Sequence, residues 1–111
     1  MKIEILAVGS ELLTPFRQDT NSLYLTQRLN DLGLDVSFKT IVGDDRANLI
    51  VFLKNALARA DLLIAMGGLG PTADDITREV LAEALGRELV FRHDIFQKIE
   101  ARFRRRGLAM P

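Results

Sequence analysis

Apolar positions along the chain recur with two different periods, and the alternation between them predicts an α/β protein. Ile3, Ile5, Leu6, Ala7 and Val8 form a nearly unbroken apolar run closed by Gly9, the pattern of a strand buried on both sheet faces. Leu25, Leu29 and Leu32 then recur at helical spacing, with Asp19 or Thr20 available as N-cap and Gly33 just past the end. A second strand is expected over Val36, Phe38, Ile41 and Val42, and its polar alternation at Ser37 and Thr40 marks it as less buried. The next helix follows Asp44-Asp45 and places Leu49, Ile50, Leu53 and Leu57 on one face. Leu62 to Met66 is a short apolar strand running into Gly67-Gly68, and a third helix is predicted over roughly Ala73 to Leu85, stopping at Gly86. A short fourth strand, Leu89-Val90-Phe91, and an amphipathic helix carrying Ile95, Phe96, Ile99 and Phe103 complete the pattern.

The order βαβαβαβα with short connections predicts a single three-layer α/β/α domain over residues 1–111, with a mostly parallel sheet and right-handed crossovers. Ligands of such sheets bind outside the carboxyl ends of the strands. Ser10-Glu11, Asp44-Asp45 and the segment Gly67 to Asp75 each follow a strand, so they are expected to meet on one edge. Composition narrows the partners. Fifteen basic side chains balance fifteen acidic ones in 111 residues, so net charge provides no footprint for nucleic acid. The chain has no cysteine, which removes disulfides, thiolate metal sites and a catalytic thiol. Its apolar start is too short for a signal peptide or a membrane span, and a cytoplasmic protein without membrane contact is expected.

The chemistry concentrates in Gly67-Gly68-Leu69-Gly70-Pro71-Thr72-Ala73-Asp74-Asp75. Glycines after a buried strand let backbone approach a ligand, and a helix opening there aims free N–H groups at an anion. No Lys-Ser or Lys-Thr follows, so it is not a Walker A loop. Gly68 to Ala73 satisfies G-x-G-x-x-A, yet on the third strand rather than the first, and the acid expected on a ribose about 20 residues later has no clear counterpart among Arg92, His93 and Asp94. Thr72 and Asp75 also have the spacing of a capping box. Two carboxylates beside a phosphate cradle would repel it unless a divalent cation such as Mg²⁺ lies between them, which makes Asp74 or Asp75 a candidate ligand. One of Asp44 and Asp45 is expected to cap the second helix, leaving the other free for metal or water. The first loop, Gly9 to Asp19, is long for such a connection, and Glu11, Asp19 and Asn21 flank it. His93, the single histidine, precedes a helix and has no triad around it. Arg102 to Arg106 suits the end of a helix dipole.

Gly9-Ser10-Glu11-Leu12-Leu13, Asp19-Thr20-Asn21-Ser22, Val42-Gly43-Asp44-Asp45 and Gly67 through Thr77, in that order and spacing, resemble the N-terminal domain of CinA, the competence/damage-inducible protein, in the molybdopterin-binding superfamily with MogA and MoaB. The resemblance covers the whole chain. It implies a metal-dependent pyrophosphatase acting on ADP-ribose or a related nucleotide diphosphate, in a homo-oligomer, dimer or trimer. On that implication Asp75 and Asp44 hold Mg²⁺, and Asp74 or Glu11 orients the attacking water. Gly67, Gly68, Leu69, Gly70 and Thr72 bind the diphosphate, with Ser10, Asp19 and Asn21 completing the pocket. The functional aspartates of the molybdopterin adenylyltransferases match Asp44 and Asp75, while Leu69 and Asp74 depart from their block. Pterin adenylylation and a non-catalytic nucleotide-binding module are the alternatives. The resemblance further implies a domain incomplete at its C-terminus and lacking the nicotinamide mononucleotide deamidase domain of CinA.

Overall fold

The structure, a computed structural model, describes every residue from Met1 to Pro111. Three parallel strands, β1 (Ile3–Val8), β2 (Val36–Val42) and β3 (Leu62–Met66), form one sheet in the order β2-β1-β3. The helices are α1 (Thr20–Asp31), α2 (Arg46–Arg59), α3 (Thr77–Leu85) and α4 (His93–Arg105). Strand β1 sits between the other two, pairing Ala7 with Ile41 on one side and with Met66 on the other. Its central place explains its continuous apolar run: every residue from Ile3 to Val8 is buried. Strand β2 is an edge and is less buried, as predicted, but its alternation turns Thr40 inward with Val36, Phe38 and Val42 and leaves Ile41 exposed with Ser37 and Lys39.

Leu6 and Val8 pack with Val42, with Leu49, Leu53 and Ala56 of α2, and with Val80 of α3. Helix α1 packs against β2; the crossover from β1 to β2 and the return from β2 to β3 run in opposite directions, and with right-handed connections this places α1 on the opposite face from α2. Glu4 lies in this apolar frame with no exposure. Its carboxylate accepts from Arg59 Nε at 2.7 Å and Nη2 at 3.1 Å, and from Thr40 Oγ1 at 3.1 Å. The Arg59 guanidinium also lies 4.1 Å from the Phe38 ring centroid. The buried charge is therefore paired, as a carboxylate out of water requires.

Helix ends follow local chemistry. Asp19 caps α1, accepting from the Ser22 amide at 3.1 Å and from the Ser22 hydroxyl. Asp45 caps α2 through the Asn48 amide at 2.9 Å. Leu32, expected on the buried stripe of α1, is its exposed C-cap. Two further expectations are corrected. The fourth strand does not form: Leu89, Val90 and Phe91 are exposed and pair with no strand, which leaves β3 as an edge of the sheet. Helix α3 begins at Thr77 rather than Ala73, because Thr72 and Asp75 bond to each other instead of continuing a helix. The first loop contains a 3-10 turn over Ser10–Leu13. No helix is long and apolar enough to cross a membrane.

Candidate functional site

The site follows from topology. The connection leaving β1 leads to α1 on one face, and the connection leaving β3 leads to α3, which packs on α2 on the other. The two chains diverge above the carboxyl ends of β1 and β3, the switch point where open α/β sheets hold ligands. A crevice of about 170 Å³ lies there, floored by Ala7, Val8, Met66 and Gly67. Its rim comes from the first loop and the start of α1: Glu11 and Leu12, then Arg17 to Asn21.

Gly67 and Gly68 both take positive φ, 87° and 64°. A side chain at Gly67 would overlap the Val8 carbonyl oxygen, and one at Gly68 would overlap the Thr77 hydroxyl. These are close approaches only glycine allows. Thr77 fastens the loop from the other end, donating from Oγ1 to the Gly67 carbonyl at 2.7 Å and from its amide to the Gly68 carbonyl at 3.2 Å. The amides of Gly68 and Leu69 donate to no group of the chain. Unpaired amides in a left-handed turn make an anion-binding concavity.

Asp75 acts inside the loop. Its Oδ2 accepts from the Thr72 hydroxyl at 2.7 Å and the Thr72 amide at 3.0 Å. These donors, above all the Thr72 hydroxyl and then its amide, hold the carboxyl below its ordinary range against a smaller opposing effect of desolvation; the Gly70 amide and the Arg78 charge add to the lowering. The capping-box spacing thus appears as a closed turn ahead of the helix. The Thr72 amide, expected to reach a phosphate, is engaged by Asp75.

Asp44 is also engaged. The Ser10 amide donates to Asp44 Oδ2 at 3.1 Å, and the Asp44 amide donates to Ser10 Oγ at 2.8 Å. This reciprocal pair ties the first loop to the β2–α2 connection, and the Gly9 amide adds a bond to the Val42 carbonyl at 2.9 Å. Asp44 therefore clasps two loops instead of standing free, while Asp45 takes the capping role.

Of the predicted set, the crevice brings together Glu11, Asp19, Asn21 and Gly67. Ser10 and Asp44 form the neighbouring clasp. Leu69 and Gly70 instead line a second cleft of about 360 Å³ with Pro71, Arg78, Ile99 and Phe103. Asp74 is exposed, and no three His, Asp or Glu side chains gather into a group able to hold a metal ion. Sequence reasoning missed Arg17, Gln18 and Thr20, which line the crevice; the unusual length of the first loop was the available signal. His93 meets the Phe91 ring edge-on at 4.7 Å, remote from any triad.

A family described as probable molybdopterin binding domain matches residues 4–111. A CinA-like protein of Koribacter versatilis is 58% identical over all 111 residues, which span 27% of its length. The chain thus covers about a quarter of that curated relative. The crystal structure of CinA from Thermoplasma acidophilum superposes with a TM-score of 0.85 at 30% identity, covering 98% of this chain and 63% of that one. The molybdopterin biosynthesis enzyme MoaB from Thermus thermophilus gives 0.71 at 29% identity, covering 79% of this chain and 57% of that one.

Proposed function

The chain belongs to the molybdopterin-binding domain family, and from that membership we propose that it binds a phosphorylated ligand of the molybdopterin type against the Gly-rich loop after β3, where Gly67 closes the crevice over β1 and β3 and Leu69 opens onto the second cleft. The observation that carries this reading is the pair of unpaired amides at Gly68 and Leu69, held in a left-handed turn that only glycine can build. Thr77 fastens that turn through the Gly67 and Gly68 carbonyls, and Asp75 closes the following one at Thr72, so the amides are ordered before ligand arrives, and little entropy remains to be lost on binding. Calorimetry with molybdopterin tests the reading: saturable binding to the wild type and its loss in Gly68→Ala are expected. Binding that survives in Gly68→Ala would place the ligand elsewhere.

The second reading is hydrolysis of a nucleotide diphosphate such as ADP-ribose. It is favoured by the fuller superposition on CinA than on MoaB and by Leu69 and Asp74, which depart from the adenylyltransferase block. The side chains do not fit a resident metal ion, because Asp75 is closed into its turn and Asp44 into its clasp. Mg²⁺ would enter this reaction on the diphosphate itself, where it would neutralise phosphate charge. Release of AMP from ADP-ribose, dependent on Mg²⁺ and reduced in Asp44→Asn, would favour hydrolysis over binding alone. A magnesium-independent blank would remove it.

A further inference from the structure

The crevice is lined by one basic side chain. Asp19, on its rim, is engaged in capping α1 through the Ser22 amide and hydroxyl. The Glu11 carboxylate folds back over Gly9, where a Cβ would stand 2.6 Å from its Oε1. Arg17 lines the same crevice, is exposed, and makes no ion pair or hydrogen bond with any group of the chain. Arg46 pairs with Glu83, Arg59 with Glu4, Arg92 with Asp94 and Arg104 with Glu100, while the unpaired Arg87, Arg102, Arg105 and Arg106 lie outside the crevice. An unpaired guanidinium at the switch point of the sheet has the planar donor fork that matches a phosphoryl group in two parallel bonds.

We infer that Arg17 is the specificity-determining residue of the crevice, selecting ligands that carry a phosphoryl group and supplying the positive charge that no metal-ligand cluster provides. The inference rests on the binding reading above. The crevice reaches the Gly-rich loop at Gly67, so Arg17 would meet phosphoryl oxygens from the first loop and the free amides that follow Gly67, at Gly68 and Leu69, would meet them from the β3 side. Ligands that present the phosphoryl group on a nucleoside and on a pterin share this chemistry.

The test is calorimetry of the 111-residue chain with ADP-ribose, molybdopterin, inorganic pyrophosphate and adenosine. Arg17→Ala is expected to weaken the phosphoryl-bearing probes by about tenfold or more, the scale of one charge-assisted contact, while leaving adenosine unchanged. Arg17→Lys should recover part of the loss, because it restores charge without the fork. The melting temperature should not move, since the side chain supports nothing in the fold. A loss confined to ADP-ribose or to molybdopterin would assign the phosphoryl group to that source. Wild-type binding that is abolished by Gly68→Ala but unchanged by Arg17→Ala overturns the role of Arg17 alone. Failure of the wild type to bind any phosphoryl probe overturns the binding reading and this inference together.

Discussion

Helices α2 and α4 have 14 and 13 residues, and each carries a stripe of apolar side chains, yet only α2 is buried. In α2, Leu49, Leu53 and Ala56 have no exposure at all. In α4, Ile95, Phe96 and Ile99 remain 47%, 36% and 40% exposed, and no residue is buried. The difference lies in connectivity. Helix α2 links the two edge strands, so its crossover passes over β1 and lays its stripe on the sheet. Helix α4 does not cross the sheet between two of its three strands, and its stripe lies beside Leu69 to Pro71 through Ile99 and Phe103 and beside Phe91 through Phe96. An amphipathic pattern therefore specifies a helix, while the order of strands decides whether that helix has anything to cover.

The contrast can be broken most sharply at Leu53. Leu53→Ala is expected to destabilise the chain by about 2–5 kcal/mol in urea unfolding, the cost of a cavity in a closed core. Gly67→Ala should come next, at more than about 1–2 kcal/mol, because the backbone is left-handed there and the Val8 carbonyl blocks a side chain; its crevice should also lose ligand.

Asp75→Asn should act through pH. The Asp75 carboxyl titrates below its ordinary value of 3.8 in the fold, so its contribution is complete above that value and is lost as pH falls through the lower folded value. Thermal melts should show the wild type more stable than Asp75→Asn near neutrality, with the two converging in strong acid. Equal melts at every pH would mean that the turn is not held by that charge. The smallest effect is expected in α4: Ile99→Ala should change stability by no more than about 0.5 kcal/mol. A cost matching that of Leu53→Ala would show that α4 is packed and the contrast mistaken.

The same contrast explains what could be read from sequence. The first three strands and first two helices were legible because their periods and caps agree with their place in the sheet, as with Asp19 and Asp45. Leu89-Val90-Phe91 has strand-forming residues, but pairing depends on a neighbour and not on local preference. The start of α3 was misplaced because a side-chain turn between Thr72 and Asp75 competes with helix, and the residues suit both. Of the residues lining the crevice, Glu11 and Gly67 were legible from their positions after strands, and Asp19 and Asn21 from the length of the connection they flank. Arg17 was not, because a lone arginine in a loop has no periodicity, and its meaning comes only from the crevice it lines.

The clasp between Ser10 and Asp44 has a consequence for how the crevice can be watched. Each amide donates to the other residue's side chain, so neither proton can be released to solvent without parting the two loops. Their hydrogen-exchange rates should therefore rise and fall together. A ligand seated beside the first loop would slow both protons at once, including the one on a connection that does not line the crevice.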